Sequence, residues 1–206
     1  MRENTIDSFL ESLAGRVPAP GGGASAALHA AQAAALVAMV ARYSDGPRFA
    51  EHADLVEKVR NSADRLRGEA LTLAEDDVAA FTAVSDAYRL PKGSDDESAQ
   101  RSAAIEAATL GAARPPEALI ALVSRILDLA EGLLPVSNRN VVSDVAAAAE
   151  AARAAATTAR VNVEINLGGI SDTDARAALV AAADSVDGLT QRAEVLTAAV
   201  RSELAR

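Results

Sequence analysis

From Ala24 to about Tyr43 the chain is apolar on nearly every side of a helical wheel. A helix without a polar face cannot lie on a surface, so this segment must be the enclosed centre around which the other elements pack. Alanine dominates it, as it dominates the whole chain, and alanine is the strongest helix former because it loses no side-chain entropy and buries no polar group. Small side chains also let helix axes approach closely. The expected core is therefore tight and alanine-lined, with Leu and Val as the larger fillers.

The flanking segments carry helical periodicity and helix punctuation. Ile6, Phe9, Leu10 and Leu13 repeat as a buried stripe on a first helix that starts near Thr5 and stops at Gly15. Arg48 to about Leu90 holds no proline and predicts one long helix or two stacked ones, ended by Pro91. Ser94 with Glu97 forms a capping-box pattern that opens a helix to about Ala113. Pro115-Pro116 is expected to separate that helix from another running to Gly132, and Val141 to about Ala159 gives the next. Val161, Val163, Ile165 and Leu167 alternate like a strand, but no second strand signal exists to pair with it, so a helical ending before Gly168-Gly169 is expected. A final helix starts near Ser171 or Asp172. The prediction is an all-α, multi-helix up-and-down bundle of long alanine-rich helices, a single domain over 1–206. Its apolar helices imply a face buried against a second copy, hence a homodimer.

The 206 residues include no cysteine, which excludes disulfides, thiolate metal sites and cysteine nucleophiles. Only His29 and His52 are histidines, with no pair at ligand spacing, so no metal site is expected. His29 reads as a hydrogen-bonded core residue and His52 as a surface one. The net charge of -9, from 20 basic and 29 acidic residues, argues against nucleic acid and anionic membranes as partners. No window reaches the ~18 uninterrupted apolar residues of a membrane span, and Glu3 and Asp7 spoil a signal-peptide reading, so a cytoplasmic protein is expected.

Three segments carry candidate chemistry. Pro20-Gly21-Gly22-Gly23 precedes the central helix, where glycines let a ligand reach the backbone and free N–H groups favour an anion or an electron-rich carbonyl; a tight turn into a crowded helix explains it equally well. Asp77, Phe81, Val84 and Tyr88 share one helix face, so a carboxylate sits among scarce aromatic rings. Desolvation there would suit Asp77 to acid-base work, whereas Asp76 can face water. The alternative is an arginine partner on a neighbouring helix. Arg89 and Lys92 follow, and Lys58 and Lys92 are the only lysines among the 20 basic residues. Asp77 and Arg89 lie about 18 Å apart along a helix, so Asp77 and Lys92 would serve two ends of a long ligand or two sites. Finally, Asn140 and Asp144 share a face within Ser137-Asn138-Arg139-Asn140-Val141-Val142-Ser143-Asp144. Capping explains Ser137 or Asn138 but not Asp144.

Pro-Ala-Pro-Gly-Gly-Gly at 18–23, Asp77 to Phe81 with Arg-Leu-Pro-Lys at 89–92, Ser-Asp at 143–144 and Asn-Val-Glu-Ile-Asn-Leu at 162–167 together resemble the cyclodeaminase/cyclohydrolase family. This is the family of the C-terminal half of formiminotransferase-cyclodeaminase, and the resemblance covers essentially the whole chain. It implies an all-α dimer acting on a tetrahydrofolate derivative as substrate, without a separate cofactor, at the methenyl bridge between N5 and N10. It places Asp77, Asp144 and Lys92 as catalytic candidates. Pro20, Gly21, Gly22, Gly23, Phe81, Arg89, Asn138, Asn140 and Ser143 become substrate-binding candidates. The expected activity is formimidoyltetrahydrofolate cyclodeaminase, which forms 5,10-methenyltetrahydrofolate and ammonia, with methenyltetrahydrofolate cyclohydrolase as the alternative. Ser137 replaces a glycine usual in the family, and Val145 and Ala146 stand where glycine is frequent. These departures motivate a non-catalytic folate or heterocycle binding module as a further alternative, with a purely structural helical dimer as the last. The catalytic expectation requires Asp77 and Asp144 to converge beside the triple-glycine bend.

Overall fold

The computed structural model describes residues 2–205, which form seven α-helices, with short 3-10 turns between α2 and α3, α4 and α5, and α5 and α6, and no strand among them. They are α1 (Ile6–Ala14), α2 (Gly22–Tyr43), α3 (Ala53–Tyr88), α4 (Asp95–Leu133), α5 (Val142–Glu164), α6 (Thr173–Asp184) and α7 (Val186–Leu204). The central helix is α2, which packs against α3, α5 and α4. Its inward positions, including Ala26, Ala30, Ala34, Val37 and Ala41, are fully buried and make the alanine-lined core. By length and hydropathy α2 passes as a membrane span, but most of that window is buried inside the bundle, as befits a core helix.

Several expected boundaries move. Pro115-Pro116 does not divide two helices: α4 runs straight through both, and both prolines are buried. Proline's fixed φ already matches the helix, and the carbonyls deprived of donors belong to exposed Gly111 and half-buried Ala112, where solvent reaches. The stretch after Arg48 resolves as a 3-10 turn over Pro47–His52 followed by one helix, α3. The alternating segment at 161–167 forms no strand: as expected the chain ends helically, with α5 running to Glu164, a turn at Ile165 and Asn166, and a 3-10 turn over Leu167–Gly169. The last helix is interrupted at Ser185, whose hydroxyl donates to Ala182 O at 2.6 Å and so competes with the helical ladder.

The expected burial of the α1 stripe fails. Phe9 is buried, but Ile6 is 81% exposed and Leu10 53% exposed. α1 touches the bundle sparsely, and the chain before it is tied to α3 by Arg2, which donates to Gly68 O and Thr72 Oγ1 and pairs with Glu75.

α5 runs antiparallel to α2. Its C-terminal Asn162 lies beside Gly22, while Asn138, just before its start, reaches the C-terminal end of α2. That pairing sets the candidates at the two ends of α5 at opposite ends of α2.

Candidate active site

Gly21 is the N-cap of α2 and has no side chain to cap with, so the first backbone N–H groups of a buried helix need an acceptor from elsewhere. Asp77 supplies it. Its carboxylate, carried by α3, accepts from Ala24 N–H and lies against Gly23. A β-carbon at Gly23 would overlap that carboxylate, standing 2.7 Å even from its farther oxygen, so only glycine lets α2 and α3 meet this way. No arginine or lysine pairs with Asp77 among the described residues, so the expected alternative of an arginine partner gives way to capping of a helix by a distant carboxylate. Asp76 is exposed, as expected.

Burial pushes the Asp77 carboxyl above its ordinary value, and the Ala24 N–H offsets part of that rise. Leu73, Pro115, Pro116, Leu119 and Ala159 close around Asp77, Gly23 and Ala27, leaving a seam with no room for a water molecule. The continuous passage of α4 through its two prolines thus builds the dry wall behind the carboxylate. On the other side Asn162 flanks Gly22, with its amide 3.5 Å from where a β-carbon would stand; its Nδ2 donates to Thr158 O. Asn162 was not among the expected site residues, although its i, i+4 partnership with Asn166, whose Nδ2 donates to Asn162 O, is a sequence-visible sign of an amide row. Pro20, with a cis Ala19–Pro20 bond, and Gly21 are half-buried on the approach.

The other expected residues lie elsewhere. Phe81 is 46% exposed and Tyr88 57% exposed, so the stripe rising from Asp77 is an open wall rather than a buried one. At its far end Arg89 pairs with Asp86 at 2.9 Å and Lys92 is exposed. Arg101 fixes this corner by stacking over the Tyr88 ring and donating to Tyr88 O.

Asp144 does not converge on Asp77 within the chain. Asn138 N–H donates to the buried Ser44 hydroxyl at 2.8 Å and its Nδ2 to Tyr43 O, which anchors this segment at the opposite end of α2. Asp144 and Asn162 are separated by about 27 Å along α5. The antiparallel pairing of α2 and α5 is the physical reason: it carries the two ends of α5 to the two ends of α2. Asn138 caps the following 3-10 turn through Asn140 N–H, as expected, while Asn140 and Ser143 are exposed. Half-buried Asp144 makes no hydrogen bond or ion pair among the described residues. His29 is half-buried on the wall of a cleft beside α1 rather than bonded within the core, and His52 is half-buried at the start of α3.

The family profile described as formiminotransferase-cyclodeaminase matches residues 5–185. A methenyltetrahydrofolate cyclohydrolase of Methylorubrum extorquens is 38% identical over 169 residues, 82% of this chain and 81% of that protein. The formimidoyltransferase-cyclodeaminase of Mus musculus is 30% identical over 171 residues, covering 82% of this chain but 32% of that longer protein. A solved formiminotetrahydrofolate cyclodeaminase of Thermotoga maritima superposes with a TM-score of 0.84 at 27% identity, over 97% of this chain and 98% of that one. A half-buried carboxylate capping a glycine-started helix inside this bundle, and matches that cover most of the chain, lead to one conclusion: the chain belongs to the formiminotransferase-cyclodeaminase family.

Proposed function

We propose that this protein is a cytoplasmic folate one-carbon enzyme that opens or closes the N5–N10 bridge of a tetrahydrofolate derivative, without a separate cofactor, and that it works as a homodimer. The single observation that carries this reading is the Asp77 carboxyl held at the start of α2 with its proton affinity raised by burial. A group so poised takes up and returns a proton more readily than an ordinary surface carboxylate.

The leading reaction is methenyltetrahydrofolate cyclohydrolysis, favoured by the 38% identity to a cyclohydrolase matched over most of its own length. In it, water adds to the methenyl carbon and Asp77 accepts the proton that water sheds. The C–N5 bond of the tetrahedral centre then breaks as Asp77 returns that proton to N5, and the remaining hydroxyl proton leaves to solvent, so that a neutral formyl group stays on N10. As a carboxylate, Asp77 also stabilises the cationic bridge. Cyclodeamination is the second reading, supported by the full-length likeness to the Thermotoga maritima cyclodeaminase. There N10 attacks the formimino carbon and the same carboxyl protonates departing ammonia. In both, Phe81 offers a ring face to the heterocycle and Asn162 an amide to its polar edge. Arg89, the C-cap of α3 and about 18 Å from Asp77 along the helix axis, and Lys92 just beyond it suit the anionic glutamate tail.

Decay of methenyl absorbance and release of ammonia from formimidoyltetrahydrofolate, measured on the purified protein, separate the two reactions. Tight folate binding without acceleration of either would favour a binding module, and no folate binding at all would overturn the folate reading.

A further inference from the structure

Proline is the residue that a helix interior tolerates least, because it removes a ladder hydrogen bond that any other residue would keep. α4 carries two in succession and buries both. Local rules are broken in this way chiefly beside functional sites, where another requirement outweighs the loss. Here the requirement is visible in what the rings touch. Pro115 and Pro116 close the seam behind Asp77, and that seam has no room for a water molecule. A proline ring folds back onto its own nitrogen, so it covers the helix with methylenes and presents no N–H to a neighbouring carboxylate. Asp77 is only half-buried, so its exposed part opens away from the seam, at the start of α2 beside Gly22 and Asn162.

Resting on the folate-enzyme reading above, we propose that Pro115 and Pro116 are positioning residues of the active site: their rings keep water off the back of the Asp77 carboxyl, so that it gives and takes its proton only at the open start of α2, where the substrate bridge would lie.

No charge competes with this effect. α2 faces the carboxyl with Gly23 and Ala27, α5 with Ala159, and α4 with the two rings and Leu119, none of which titrates. Arg114 and Glu117 flank the rings along α4 but pair with each other at 2.9 Å outside the seam. Arg160, beside Ala159, is held by Asp187 and Glu164. On α3 itself Glu75 pairs with Arg2 and Asp76 is exposed, and His29 of α2 lines the cleft beside α1. Solvent access is therefore the variable that the wall controls. A carboxyl wetted from behind is solvated like one on the surface, holds its proton less tightly and gains a second path for that proton to bulk water.

The experiment compares Pro116→Ser with Pro116→Val. Both restore an N–H to α4, but serine carries a hydroxyl into the seam and valine leaves it apolar. With serine, the limb of the pH–turnover profile set by Asp77 is expected to move about half to one pH unit lower, and plateau turnover to fall about threefold. Valine is expected to keep both at wild type. Ala118→Ser places the same hydroxyl on the exposed side of α4 and is expected to change neither. Pro115→Ser, made in parallel, tests the seal from the adjoining ring if the first serine chain lacks wild-type helicity by circular dichroism. A readout without substrate is the carboxyl carbon-13 titration of Asp77, assigned by its absence from Asp77→Asn, which is expected to move with the turnover limb. Serine that lowers turnover while limb and titration stay in place overturns the seal and leaves the prolines as structure alone. Valine or Ala118→Ser displacing the limb as far as Pro116→Ser overturns it too. A displaced titration in a protein that turns over neither folate substrate sinks the folate reading and leaves the seal around Asp77 standing.

Discussion

The Asp77 carboxylate occupies the space that a β-carbon on Gly23 would need. One residue type at position 23 therefore lets a half-buried acid from α3 serve as the cap of α2. Gly23→Ala should push the carboxylate away and overpack the α2–α3 contact, costing about 1–3 kcal/mol of stability together with most of the turnover. Gly21→Ala, whose added carbon meets nothing within 4 Å, should stay within about 0.5 kcal/mol of wild type. Urea denaturation of both variants makes the comparison; equal losses would contradict the steric argument.

Asp77→Asn keeps the shape of the side chain and removes its ionisation. Turnover should fall by about 10²–10⁴-fold, the usual contribution of a positioned acid-base group. The stability effect has a definite sign. The native carboxyl titrates above its ordinary value near 3.8, so its favourable contribution is complete below that pH and is lost as pH rises through the raised native value. The asparagine variant should therefore gain stability relative to wild type between pH 4 and neutrality. Denaturation midpoints of the two proteins across that range test it, and an asparagine variant that loses stability relative to wild type as pH rises would refute it.

Ser44 is fully buried, donates to Val40 O and accepts from Asn138 N–H, both at 2.8 Å. Ser44→Ala leaves that N–H without its partner, at a cost of about 1–3 kcal/mol. It should also raise hydrogen exchange at Asn138 and Asn140 while leaving the α2–α3 contact at Gly23 protected.

Arg192 on α7 donates to Asp128 at 2.6 Å and to Glu131 at 2.8 Å on α4, and those carboxylates raise its proton affinity further. Because both carboxylates meet solvent, Arg192→Ala should cost only about 1 kcal/mol, and less at high salt. A thermal-melt comparison at low and molar salt reads this directly.

Most of the helical plan was legible because it depends on local physics. Alanine content, helical spacing, the Ser94 box and the glycine-proline breaks all act within a few residues, and the helical reading of 161–167 held for the same reason. Pro115-Pro116 misled because a proline pair weakens a helix locally, while the decision to continue rested on the neighbours that bury both rings. The α1 stripe misled in the opposite sense, since periodicity states which face is apolar and not whether anything covers it.

The site divides along the same line. Sequence alone determined which residues have the chemistry: an acid on an apolar helix face, a glycine run before a buried helix, an amide-rich turn. Only the tertiary structure decided who meets whom, because contacts between residues fifty or more positions apart depend on how helices cross. It set Asp77 on Gly23, brought in Asn162, and sent Asp144 to the far end of α2, since antiparallel helices must carry opposite ends of one to opposite ends of the other.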